Sequence, residues 1–143
     1  MQLGPKQSPT NSFAGLCIKG QRGGGNDLEV RVGIREGSPF LRLVDGRDAG
    51  QDKTELIKLQ LERFDPKARH ELELRVVPRG EAGGRAFTLL VSWNGVVVHR
   101  HDLKMLAATT TQELHTILFA EGKRGDDVDV RFDDYRLERR KDR

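Results

Sequence analysis

Residues 87–101 read Phe-Thr-Leu-Leu-Val-Ser-Trp-Asn-Gly-Val-Val-Val-His-Arg-His, and this stretch decides the fold. Leu89, Val91 and Trp93 form one face of an extended segment, and Val96 and Val98 continue it. Between them lies Asn94-Gly95, a dipeptide that accepts the two positive φ angles of a type I′ turn, so the stretch predicts a two-residue β-hairpin. The expected register pairs Trp93 with Val96 and Val91 with Val98 on the core face. Ser92, Val97 and His99 then lie on the other face.

Working outward, the same period-2 pattern recurs. Leu28, Val30, Val32 and Ile34 alternate with Glu29, Arg31, Gly33 and Arg35, as in a strand wet on one side. Ile57, Leu59 and Leu61 do so between Lys58, Gln60 and Glu62, and Leu72, Leu74 and Val76 between Glu71, Glu73 and Arg75. Phe13 to Lys19 is apolar enough for a buried strand, and Phe40 to Val44 follows a Gly37-Ser38-Pro39 turn. Leu114 to Ala120 reads as a strand entering the glycine loop 121–125, and Val128 to Glu138 as the last strand. Residues 21–26 and 79–84 read as flexible glycine-rich loops, and the one plausible helix is a turn or two within 103–109. About nine strands separated by turn signals, with no long repeat, predict an all-β antiparallel β-sandwich.

Composition bounds the function. The chain has 143 residues, 36% of them hydrophobic and 33% charged, which suits one domain. Cys17 is the single cysteine, which excludes an intramolecular disulfide and Cys-rich zinc folds. No apolar run is long enough to span a bilayer, and MQLGPKQSPT has no signal-peptide core. The formal net charge is only +3, with basic and acidic residues interleaved, so neither nucleic-acid binding nor membrane insertion is expected. Residues 1–10 are expected to be a flexible segment, 11–139 the sandwich, and 140–143 a solvated basic tail.

Few residues carry recognisable chemistry. In the last segment Val128, Val130 and Phe132 share a face, but the next apolar residues are Tyr135 and Leu137, so the phase slips across Asp133-Asp134. A β-bulge there would aim a carboxylate sideways, where it joins carbonyl oxygens around a structural calcium ion or pairs with nearby arginines. Glu71 and Glu73 are the nearest approach to a catalytic carboxylate pair, since same-face strand neighbours lie ~7 Å apart. A charged solvent face produces the same pattern. His99 and His101, with Asp102 adjacent, form an H-x-H pair whose bland reading is the polar outer face of the hairpin. No nucleophile elbow or phosphate loop occurs. Aromatic content is 6%, and Trp93 and Tyr135 both fall in the core phase, although Trp93 at the hairpin tip would serve as a sugar platform if exposed. Candidate polar contacts are Arg31, Arg35, Arg42, Lys58, Gln60, Glu71, Glu73 and Arg75, which line one charged outer face if their strands are adjacent.

The ending Val128-Asp-Val-Arg-Phe-Asp-Asp-Tyr-Arg-Leu-Glu resembles the closing strand of concanavalin A-like lectin/glucanase sandwiches, where a "v.v.FDD.rL" phrase follows a strand and glycine loop such as Ile117-Leu-Phe-Ala-Glu-Gly. In order along the chain, Asn11-Ser-Phe-Ala-Gly-Leu resembles that superfamily's "NSGL" strand opening, Leu28 to Arg35 its "yEVri" strand, Leu72-Glu-Leu-Arg-Val its "helrV" strand, and Phe87 to Val98 its "f.v.vnG..v" hairpin. The resemblance runs over most of 11–139 and is nearest to non-catalytic bacterial domains of unknown function and to relatives of the 3-keto-disaccharide hydrolase type.

The resemblance implies a concanavalin A-like jelly roll, an extracytoplasmic location and carbohydrate binding. It also implies two or three strands before the "NSGL" strand, where this chain has only Met1 to Thr10. A sheet edge left open in this way invites strand addition, including a homodimer. The expected function is a non-catalytic binding or accessory module that recognises a glycan or a protein partner through a charged sheet face. The alternatives are a glycoside hydrolase-like sugar-processing relative using Glu71 and Glu73, or a structural oligomerisation domain. The Glu-x-Asp-x-x-Glu phrase of the related hydrolases is absent.

Overall fold

The computed structural model describes residues 2–3, 13–22, 25–48, 51–79, 86–103, 113–121 and 130–138. Its strands are β1 (Gln2–Leu3), β2 (Phe13–Arg22), β3 (Gly25–Arg35), β4 (Ser38–Asp48), β5 (Gln51–Lys58), β6 (Leu72–Arg79), β7 (Ala86–Trp93), β8 (Val96–Leu103), β9 (Glu113–Glu121) and β10 (Val130–Arg131). They form a five-stranded antiparallel sheet in the order β5-β4-β3-β2-β9, a three-stranded one in the order β6-β7-β8, and a small β1-β10 pair. The two larger sheets make the expected all-β antiparallel β-sandwich.

The alternating residues explain why the sheets meet. Leu28, Val30, Val32 and Ile34 of β3, with Ala14, Leu41 and Leu43 beside them, point inward against Leu89, Val91, Trp93 and Leu103 of the smaller sheet. Glu29, Arg31 and Arg35 point the other way, because successive strand residues face opposite sides.

The Asn94-Gly95 turn forms as expected, with φ of 50° and 80°. Asn94 also ties this turn to the start of β6. Its side-chain oxygen accepts the Glu71 backbone N–H at 2.8 Å, and its own N–H donates to the Glu71 carbonyl at 2.8 Å. The expected hairpin register holds at its first two pairs, Trp93 with Val96 and Ser92 with Val97. Beyond them the ladder shifts between Val91 and Ser92, so Val91 faces His99 and not Val98. This bulge turns His99 and His101, opposite Val91 and Leu89, toward the interior side and not toward the outer face of the hairpin. A second positive-φ turn occurs at Glu36-Gly37, one residue earlier than the Gly37-Ser38-Pro39 reading.

The C-terminal expectation changes more. Strand pairing ends at Arg131, and residues 132–138 carry no ladder. Asp134 adopts φ of 53° and residues 132–138 belong to no strand, so the expected bulge within a strand does not form. Phe132 still packs on the core, whereas Tyr135 and Leu137 are 46% and 71% exposed and do not belong to it. Gln2 and Leu3 pair with Arg131 and Val130, so the segment expected to be flexible supplies a short strand. Gln21, Arg22, Gly25 and Asn26 belong to β2 and β3 and not to a loop. Leu103, at the start of the expected helix, ends β8, and Arg79, at the start of the expected 79–84 loop, ends β6; residues 104–109, 80–84, 122–125 and 140–143 lie outside the described residues.

Candidate functional site

Cross-strand register assembles the site on the outer face of the five-stranded sheet. In one row Lys58, Phe40, Gly33, Gly15 and Phe119 lie side by side across β5, β4, β3, β2 and β9. In the next, Arg42, Arg31, Cys17 and Ile117 align. At one end Arg35 sits between Ser38 and Phe13, and Phe13 faces Glu121.

Two glycines at the centre shape this face. A Cβ on Gly15 would fall 2.0 Å from the Val32 carbonyl oxygen, and one on Gly33 would fall 2.0 Å from that of Ala14. Both positions therefore exclude a side chain by close approach of the paired backbones. The space above them is flanked by rings. Phe13 meets Phe40 and Phe119 edge to face at 4.8 Å and 4.7 Å between centroids. The Arg31 guanidinium lies 5.2 Å from the Phe119 centroid and that of Arg35 lies 5.1 Å from the Phe40 centroid, both within cation–π range.

Glu29 organises the cations. Arg31 faces Arg42 directly, a like-charge pairing that is unfavourable alone. The Glu29 carboxylate relieves it, lying 2.7 Å from Arg31 Nε, 3.9 Å from Arg42 Nη1 and 3.6 Å from Lys19 Nζ. Arg31 also donates to Glu121 at 2.8 Å. Burial works against its charge, but Glu29 and Glu121 outweigh it and raise its pKa above the ordinary guanidinium value. Beneath them Cys17 is 1% exposed, and burial, reinforced by Glu29, pushes its thiol up to about 11. Such a thiol is inert at neutral pH.

Arg31 and Glu29 are thus spent on each other and Arg42 leans on the same carboxylate, while Arg35 and Lys58 are exposed. A shallow open depression of about 290 Å³ lies at this end, lined by Arg35, Glu36, Ser38, Pro39, Phe40, Ile57 and Lys58. At this end of the face Arg35 and Lys58 are exposed beside Glu36, while Lys19, Arg31 and Arg42 gather around Glu29.

The other candidates fall elsewhere. Glu73 and Arg75 lie on β6, in the smaller sheet, where Arg75 Nη2 is 2.5 Å from the Glu73 carboxylate. The single face running from Arg31 to Arg75 therefore splits into two outer faces on opposite sides of the sandwich. Glu71 precedes β6 and is held by Asn94, and Gln60 is exposed beyond the end of β5. Trp93 is 2% exposed, so its ring is core and offers no sugar platform. Its Nε1–H donates to His70 Nδ1 at 3.1 Å, which leaves His70 Nε2–H to donate to the Asp65 carbonyl at 2.7 Å. Phe64 stacks on His70 at 5.0 Å, closing that end of the core.

Asp133 and Asp134 both meet Arg69 Nη2, at 3.3 Å and 3.2 Å, which is the arginine-pairing alternative to the calcium reading. Among the described residues no group of three or more His, Cys, Asp or Glu side chains is placed to hold a metal. His101 Nε2 lies 2.9 Å from Asp45 Oδ2, bridging β8 to β4 between the sheets. No helix among the described residues is long and apolar enough to cross a membrane.

The residue-level reading missed Phe13, Phe40 and Phe119. Each lies on a different strand, and only cross-strand register brings them together. Compared with protein-family models, with curated proteins and with solved structures, the chain matches none. Of the concanavalin A-like resemblance, what stands is the all-β, two-sheet antiparallel architecture.

Proposed function

We propose that this chain is a non-catalytic binding module that recognises an anionic glycan through the outer face of its five-stranded sheet. The supporting observation is Arg35 over the Phe40 ring, with Lys58 paired to Phe40 and Arg42 two residues further along the same strand, next to the Phe13 and Phe119 rings and an open depression. Outward cations such as Arg35 and Lys58 attract carboxylated or sulfated sugars over long range. Arginine presents a planar fork that matches carboxylate and sulfate oxygens, and the half-buried rings offer some apolar contact to the sugar body. The face is already set by the Glu29 hub and the paired glycines, so little ordering is needed on binding. This reading keeps the accessory-module expectation and moves its site off Glu71, Glu73, Arg75 and Trp93.

Titration calorimetry with heparin and polygalacturonate, against neutral dextran, tests it. The acidic polymers bind, their affinity falls as salt rises, and Arg35→Ala with Lys58→Ala together lower it at least tenfold. Glu73→Gln, on the opposite face, leaves it unchanged. Equal binding to dextran, or no loss in the double variant, would overturn the reading. Binding of an acidic protein but neither polymer would point to a protein partner instead.

A further inference from the structure

We infer that β9 is a strand-addition edge that pairs antiparallel with β9 of a second copy of this chain, about a two-fold axis at Leu118. Among the described residues the two larger sheets end in four edge strands, β5, β9, β6 and β8. Natural edges are blunted by lysines, prolines or bulges, because unpaired backbone groups otherwise template pairing. Three of these edges carry such a device. Lys53 and Lys58 lie on β5, whose ladder also shifts between Val44 and Arg47. Pro78 lies on β6, and the β7–β8 ladder carries its bulge at Val91/Ser92.

β9 carries none of these devices. Its sequence, Glu-Leu-His-Thr-Ile-Leu-Phe-Ala-Glu, has no lysine, proline or glycine, and its nine residues pair with β2 without a shift. Among the described residues it is paired on that side only. Ile117 on its outer face and Leu118 on its inner face are each 38% exposed. Leu118 is open because three strands cannot cover five at a strand spacing of about 4.8 Å.

The strand is complementary to itself in one register. With Leu118 opposite Leu118, Ile117 meets Phe119 of the second copy, Thr116 meets Ala120, and His115 meets Glu121. Every residue keeps its face, because the register shift is even. Apolar pairs then occupy the centre and a His–Glu pair closes each end, contacts that favour sheet pairing. A two-fold axis at Ile117 would instead set Glu113 against Glu121 and His115 against Phe119. Pairing about Leu118 joins the two five-stranded sheets into one continuous sheet, and it satisfies the isologous rule of closed dimers. The inference does not rest on the glycan reading.

Sedimentation velocity of the full chain over a dilution series tests it. The expected mass is twice 16.1 kDa at high concentration, falling toward the monomer on dilution. Leu118→Lys, which sets two ammonium groups at the axis, yields monomer with an unchanged circular dichroism spectrum, while Val97→Lys on β8 leaves the dimer intact. Directly opposed antiparallel residues lie within disulfide reach, so under mild oxidant Leu118→Cys becomes cross-linked and Ile117→Cys does not. A monomer throughout the series, or a folded Leu118→Lys that still dimerises, would overturn the inference. Should Leu118→Lys fail to fold, cross-linking of Ile117→Cys as fast as Leu118→Cys overturns it by itself.

Discussion

Cys17 shows how much a single position depends on its cross-strand neighbours. By sequence it sits in an apolar strand as one more buried residue. In the fold it lies on the outer face, between Arg31 and Ile117, and is sealed there by long charged side chains laid over the sheet. Burial raises its pKa from 9.0 to about 11, so the folded chain holds the thiol proton more tightly than the unfolded chain does. Stability from this source is complete below pH 9 and is lost as pH rises toward 11, at up to about 1.4 kcal/mol per pH unit. Denaturant titrations of wild type and Cys17→Ala from pH 8 to about 11 check this. The wild-type advantage shrinks over that interval, and an advantage constant with pH would contradict the assigned burial effect. Labelling by iodoacetamide at neutral pH should likewise follow global unfolding.

At the scale of elements, β2 and β3 depend on the Gly15–Gly33 pair. A methyl group at either position meets backbone 2.0 Å away, which no rotamer change relieves. Gly33→Ala therefore separates the strands and costs about 1–3 kcal/mol, in the range of overpacked sites. Thermal melting checks the direction, and an unchanged midpoint would mean that the ladder tolerates the methyl group. The strands were largely legible in the sequence because period-2 alternation is a local property of each stretch. The 87–101 hairpin was legible for the same reason, through the positive φ that Asn94-Gly95 accepts. Its register was not. The bulge beside Val91 goes with a long-range contact, the one that His101 makes with Asp45, 56 residues away. The Asp133-Asp134 slip was visible as a broken alternation. Its outcome, an unladdered segment clamped by Arg69 and touching Thr116 through the Tyr135 hydroxyl, depended on distant elements.

For the whole molecule, the decisive fact is which strands share a sheet. Arg31, Arg42, Glu73 and Arg75 look alike in sequence, each alternating with core residues, yet the crossing from β5 to β6 sends them to opposite outer faces. The sheets are joined by their apolar faces and also by the Asp45–His101 contact, where the carboxylate is 5% exposed. Asp45→Ala leaves His101 short of that acceptor and should destabilise the sandwich by about 1–3 kcal/mol, with Asp45→Asn closer to wild type. Chemical denaturation measures this, and equal losses for Asn and Ala would show that the side chain's volume matters more than its acceptor.

What the sequence by itself determined is the class of structure: antiparallel strands, their inward residues and their tightest turn. These follow from side-chain alternation and local dihedral preference, which act within a few residues. Only the tertiary structure decided the candidate site. The grouping of three phenylalanines with Arg31 and Arg35, and the pairing of β9 on one side only among the described residues, depend on strand order and register. Those are set by long-range packing between residues that no local pattern relates.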